Sequence, residues 1–174
     1  HATPLRRLAE LRDLIFVVEA VRFDGAKAVS VKDLEQVVAT KAAGPVLPDV
    51  LEVDVMRLTS LYFDRGHVTG SVTTQQRPHG ETPGPTDIVF TIAEGPVFRI
   101  GAISLKGLPL DAKALGSLET KKGAVFSRTV IQRDLEKLRE RAKKQGKDVE
   151  VLPMTEIDQT KHTVGLTFEL TEKH

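Results

Sequence analysis

The chain has no cysteine and no tryptophan, a single tyrosine among its 174 residues, and no apolar run much beyond the five residues from Leu14 to Val18. Each absence removes a class of function. Without thiols there are no disulfides, no thiolate metal sites and no cysteine nucleophile; the lack fits a reducing cytoplasm and an oxidising compartment equally. A helix that spans a bilayer needs about 20 consecutive apolar residues, far more than Leu14 to Val18 supply. The opening His1-Ala2-Thr3-Pro4 has neither the basic start nor the apolar core of a secretion signal, and His1 reads as the remnant of a purification tag. The expectation is a soluble fragment of a longer chain.

Catalytic groupings are missing too. None of His1, His67, His79, His162 and His174 has a histidine or carboxylate at i+3 or i+4, so the convergent ligands of a metal site are not in place. Gly146-Lys147 lacks the earlier glycine of a phosphate loop, and Asp148 stands where that loop needs Ser or Thr. No serine lies in a Gly-x-Ser-x-Gly turn. The neighbouring acids Asp134 and Glu136 are two apart on a helix and face different directions. The sequence therefore predicts no enzyme, no cofactor, no metal and no small-molecule substrate.

Charge is present but divided. Residues 1–16 carry 3 basic and 2 acidic side chains, 17–96 carry 7 and 11, and 97–174 carry 15 and 11, for net charges of +1, −4 and +4. Halves of opposite sign argue against a nucleic-acid surface, which needs a continuous basic face. The basic run Arg139 to Lys147 is the strongest local signal; cations suit the negative end of a helix, and an anionic lipid or acidic partner is the sharper alternative.

What the sequence does contain is a repeat. Val21-Arg22-Phe23-Asp24-Gly25 is an alternating strand closed by glycine, and Ile103-Ser104-Leu105-Lys106-Gly107 repeats it at a step of 82 (from 21 to 103). Leu51, Val55, Leu58 and Tyr62 mark one face of a helix; Ile131, Leu135, Leu138 and Ala142 mark the same face at a step of 80 (from 51 to 131). Pro48-Asp49 and Phe126-Ser127 supply the start signals, and Gly66 and Gly146 the stops. Ile88, Phe90 and Ile92 alternate along a closing strand, matched by Leu166, Phe168 and Leu170 at a step of 78 (from 88 to 166). An acid follows each closing strand, Glu94 and Glu172.

The intervals then fill in. A short helix from Ser30 carries Leu34, Val37 and Val38, and its counterpart from Asp111 carries Leu115 and Leu118. A further strand runs from about Val68 to Gln76, and again from Asp148 to Met154. The segment Arg77 to Thr86, with two glycines and three prolines, is expected to be irregular. Each repeat reads β-α-α-β-β. The fold class is α+β: two tandem domains, each a three-stranded mixed sheet covered on one face by two helices. The expected boundaries are 17–96 and 97–174, joined stiffly through Glu94-Gly95-Pro96. Residues 1–16, with Leu5, Leu8, Leu11 and Ile15 at helical spacing, read as an extension or the tail of a preceding domain.

This order of elements, the helix end Leu61-Tyr62-Phe63-Asp64-Arg65-Gly66 and the closing Asp87-Ile88-Val89-Phe90-Thr91-Ile92-Ala93-Glu94-Gly95-Pro96 resemble POTRA (polypeptide-transport-associated) domains. Such domains occur in BamA/TamA-like outer-membrane protein assembly factors. The resemblance covers about residues 17 to 174. It departs at His67, where an aromatic commonly stands, and in the second copy, which has Ala142-Lys143-Lys144-Gln145-Gly146 in place of the Tyr-to-Gly signature.

The resemblance implies a periplasmic binding and scaffold fragment whose parent chain continues into a membrane β-barrel. Its implied partners are unfolded outer-membrane proteins and accessory periplasmic lipoproteins or chaperones, with no nucleic acid. It also implies the site: the second strand of each repeat, at Val68, Thr69, Ser71, Val72, Thr73 and Thr74, and at Asp148, Val149, Glu150, Val151 and Leu152. An extended polypeptide pairs there by β-augmentation, through backbone groups that an edge strand leaves free. The POTRA pair of a two-partner secretion transporter resembles the same pattern. An FtsQ-like cell-division scaffold resembles a single such domain.

Overall fold

A computed structural model describes residues 16–80 and 84–173; the helical spacing at Leu5 to Ile15 lies outside them. In the first repeat, β1 (Val17–Asp24) leads through α1 (Val31–Val37) and α2 (Pro48–Asp64) to β2 (Ser71–Pro78) and β3 (Pro85–Ala93). In the second, β4 (Arg99–Gly107) leads through a single 3-10 turn (Leu115–Ser117) and α3 (Arg128–Lys144) to β5 (Val149–Asp158) and β6 (Thr163–Glu172). Two three-stranded sheets result, ordered β1-β3-β2 and β4-β6-β5. In each, the first strand pairs parallel with the last and the second pairs antiparallel with it. The fold is α+β, two tandem units on one β-α-α-β-β plan, with the 3-10 turn in the place of the first helix in the second. By compactness one unit takes in residues up to Tyr62 together with Thr69–Gly95, and the other takes in Phe63–Val68 with the chain from Pro96 onward.

Two glycines end the first strands for a steric reason. Gly25 and Gly107 have φ of +87° and +94°, and a Cβ at either would sit 2.1 Å from a carbonyl oxygen of the central strand, Ile92 or Leu170. Only a residue without a side chain fits a left-handed turn pressed against its neighbour.

Side chains from the central strands fill the two cores. Ile88, Phe90 and Ile92 meet Leu34, Leu51 and Leu58 in one; Leu166, Phe168 and Leu170 meet Leu118, Ile131 and Leu138 in the other. The helix faces differ from the sequence reading in one respect. Val55 and Leu135 are only partly buried, and the fully buried positions beside them are Asp54 and Asp134.

Each of these acids stitches its helix to the preceding segment. Asp54 accepts from the Ala39 N–H at 2.7 Å, the Thr40 N–H at 3.0 Å and the Thr40 hydroxyl at 2.6 Å. Asp134 accepts from the Glu119 N–H, the Thr120 N–H and the Thr120 hydroxyl at 2.7, 2.9 and 2.5 Å. A buried carboxylate is tolerable when its lone pairs are met in this way.

Several boundaries move from their expected places. The counterpart of α1 is only a 3-10 turn, with Leu115 exposed and Ala114 and Leu118 buried; Gly116 at its centre weakens any longer helix. Pro48 is the first residue of α2 rather than a residue before it, which suits a side chain with no N–H to orphan. Ser127 does cap α3, accepting from the Val130 N–H. The irregular segment is narrower than Arg77 to Thr86, because Arg77 and Pro78 end β2 and Pro85 and Thr86 begin β3.

Candidate functional site: the open strand edges

Each sheet has two edges, and the chain's own backbone occupies the start of one. The segment before α2 lies along β1: the Val18 N–H donates to Gly44 and the Ala43 N–H to Val18, both at 2.8 Å. The segment before α3 does the same along β4, the Ile100 N–H donating to Ala124 at 2.8 Å and the Gly123 N–H to Ile100 at 2.7 Å. Among the described residues nothing pairs with the outer edges of β2 and β5.

Which backbone groups face those edges follows from the register. In an antiparallel pair, opposed residues alternate between exchanging both hydrogen bonds and exchanging none. The His79 N–H donates to the Pro85 carbonyl at 2.9 Å, in line with the pairing of β2 on β3. Odd positions of β2 therefore bond inward, and Val72, Thr74 and Gln76 turn their N–H and C=O groups outward. On the second sheet the Lys173 N–H donates to the Asp148 carbonyl at 3.0 Å, in line with β5 on β6. Even positions of β5 bond inward, and Val149, Val151, Pro153, Thr155 and Ile157 point outward.

The prolines agree with this parity. Pro78 and Pro153 both fall at outward positions, where a missing N–H breaks no ladder bond. The two edges therefore differ. That of β2 presents consecutive outward donors at Val72, Thr74 and Gln76, whereas that of β5 is interrupted at Pro153.

The expected site residues divide accordingly. Ser71, Val72, Thr73 and Thr74 lie on β2, and Val149, Glu150, Val151 and Leu152 on β5. Val68 and Thr69 precede β2, and Val68 packs against the core of the second unit. Asp148 precedes β5, and its carbonyl bonds inward. Val72, Val149 and Val151 are buried, so their side chains belong to the cores and only their backbone meets the edge. Two stretches of strand lie beyond the expected limits, Arg77 to Pro78 and Thr155 to Asp158. The alternation Glu150, Leu152, Met154, Glu156 is the sequence signal for the longer β5.

The open faces also differ. Ser71, Thr73, Gln75 and Arg77 project from β2, all exposed, and Arg77 donates to Gln75 at 2.9 Å. Glu150, Leu152, Met154 and Glu156 project from β5, likewise exposed.

The basic run at the end of α3 is largely engaged within its own unit. Arg141 and Gln145 bind Asp111, Arg139 pairs with Glu136, and the Lys147 ammonium donates to the Pro109 carbonyl. The Arg141 guanidinium lowers the Asp111 carboxyl from its ordinary 3.8 to about 2. Lys143 and Lys144 remain exposed. Of the histidines, His67 is buried and His79 pairs with the Asp87 carboxylate at 3.0 Å. Among the described residues no three potential ligands converge on a metal position. No described helix is long and apolar enough to cross a membrane.

Comparison with known proteins places this architecture. No curated protein sequence matches the chain. POTRA domains 3–5 of Haemophilus influenzae BamA superpose with a TM-score of 0.60 at 14% identity, over 92% of this chain and 67% of that one. Haemophilus ducreyi BamA lacking POTRA domains 1–3 gives 0.64 at 17%, over 91% of this chain and 30% of that one. POTRA domains 1–2 of the periplasmic domain of Omp85 from Anabaena give 0.58 at 13%, over 92% and 96%. At such identities the likeness is one of fold. The chain thus spans about two thirds of the first of these and under a third of the second. The family model POTRA, described as a surface antigen variable number repeat, matches twice, at residues 16–95 and 98–173. The chain belongs to the POTRA family and carries two tandem copies of its domain.

Proposed function

We propose that this chain is a periplasmic protein-binding and scaffold fragment of an outer-membrane β-barrel protein assembly factor, without catalytic activity of its own. It engages extended segments of unfolded clients or accessory proteins by weak β-augmentation, and its parent continues into a membrane barrel. The family supports the setting, as does the fold shared with a periplasmic domain of Omp85. One observation carries the mode of binding: the edge of β2 is open and turns the backbone of Val72, Thr74 and Gln76 outward.

The magnitudes agree with a hand-over role. Each net hydrogen bond contributes about 0.5–1.5 kcal/mol, and association plus ordering of the client costs at least about 4 kcal/mol. Three outward residues offer about six such bonds, roughly 3–9 kcal/mol, so the surplus is at most about 5 kcal/mol and affinity is millimolar or weaker, reaching the high-micromolar range only at its upper limit. A module that passes strands onward must release them.

The test is an amide-shift titration of the whole chain with extended peptides from an outer-membrane β-barrel. Shifts should concentrate on Ser71–Gln76. Gln76→Pro removes one outward donor from an exposed position without emptying the core, and should weaken binding about threefold to tenfold. Shifts confined to residues away from both β2 and β5, or unchanged binding at β2 by this variant, would overturn the reading.

A further inference from the structure

The edge of β5 is built differently from that of β2, and the difference has a chemical direction. Its exposed face reads Glu150, Leu152, Met154, Glu156 at successive same-side positions. Leu152 and Met154 are 49% and 48% exposed. Their partners on β6 are Glu169 and Thr167, so no apolar neighbour covers them from within the sheet. The matching face of β2 (Ser71, Thr73, Gln75, Arg77) holds no large apolar side chain and no acid. The buried partners correspond in the two repeats, with Val72 opposite Ile92 and Val151 opposite Leu170. This exposed face thus diverges between the repeats while that buried pair is kept. Pro153 meanwhile withholds one backbone donor from the same edge, which shifts selection from main chain to side chains.

A strand added to β5 places alternate side chains about 5 Å from those of its neighbour. Glu150 and Glu156 are six positions apart, about 20 Å along the strand, and they bracket the apolar pair. We propose that the edge of β5 selects an extended protein segment whose alternate residues run cation, apolar, apolar, cation. The order is the same read from either end, so the match holds for parallel and antiparallel addition. This inference rests on edge pairing by extended chains and narrows the partner at the second repeat.

The test uses the whole chain, isotopically labelled, and two peptides: Lys-Thr-Leu-Thr-Leu-Thr-Lys and its counterpart with Glu at both ends. The lysine peptide should shift amides of 149–157 and bind there about tenfold more tightly than the glutamate peptide, two opposite-charge contacts having replaced two like-charge ones. The double variant Glu150→Lys/Glu156→Lys changes only exposed side chains and should invert the order with an unchanged melting curve. Equal affinity of both peptides at β5, or an order the double variant leaves intact, overturns the proposal. A response confined to β2 overturns it while leaving the general reading in place. A charge-selective response at β5 with β2 silent upholds it and removes the general reading's claim on β2. Silence at both edges removes both.

Discussion

At the scale of single residues, the clearest constraint is the glycine that closes each first strand. Its repetition was legible in the sequence, as was its role as a stop. The carbonyl 2.1 Å from a would-be Cβ was not, because Ile92 and Leu170 lie far along the chain from the glycines they press against. Gly123 makes a useful contrast: its φ is +86°, yet nothing lies within 4 Å of a Cβ there. Gly123→Ala should cost only the backbone term, about 1–2 kcal/mol. Gly107→Ala adds an overpacking cost of about 1–3 kcal/mol. Thermal melts of the two variants should therefore differ by roughly 4–8 °C or more for each additional kcal/mol. Equal melting points would show that the turn relaxes freely.

At the scale of elements, the long helices α2 and α3 were readable from apolar spacing, whereas the counterpart of α1 is only a 3-10 turn and two of the innermost residues are not apolar. The apolar pattern placed Val55 and Leu135 on the core stripe, whereas their neighbours Asp54 and Asp134 are the ones with no exposure, buried as fully as Leu58 and Leu138. An acid at the same step of both helices, Asp54 in one and Asp134 in the other, was the signal available. A charged residue at that step reads as solvent-facing until its partners are known, and these are Thr40 and Thr120, each in the segment before its helix. The clamp positions the helix against that segment, and α3 in turn packs beside β5. Asp134→Ala would leave two backbone N–H groups and a hydroxyl without their acceptor. It should destabilise the second repeat by about 3 kcal/mol or more in urea unfolding. Asp134→Asn keeps one acceptor oxygen and should cost less. A loss for the alanine variant no larger than about 0.5 kcal/mol, the range of an ordinary surface change, would mean that water replaces the carboxylate.

At the scale of the whole molecule, the two repeats share one plan and expose the same strand. The start of each first-strand edge is taken by the chain itself, and the second-strand edge is left open. Amide hydrogen exchange should read this directly. Val72, Thr74 and Gln76 should exchange fast, and Thr73, Gln75 and Arg77 slowly; Val151, Thr155 and Ile157 should be fast, and Glu150, Leu152 and Met154 slow. Protection of the opposite parity, or an unbroken protected run, would contradict the assignment of edge groups.

By itself the sequence determined the repeat, the β-α-α-β-β order, the strand and helix stops and the core of the closing strands. These are local or periodic properties, carried by residues whose spacing matches the geometry of one element. The tertiary structure alone decided which edge stays open, which backbone groups point outward, and where two acids go for their hydrogen bonds. Those outcomes depend on register and on partners distant in the chain, and a strand cannot show which of its sides is bonded until its neighbour is in place.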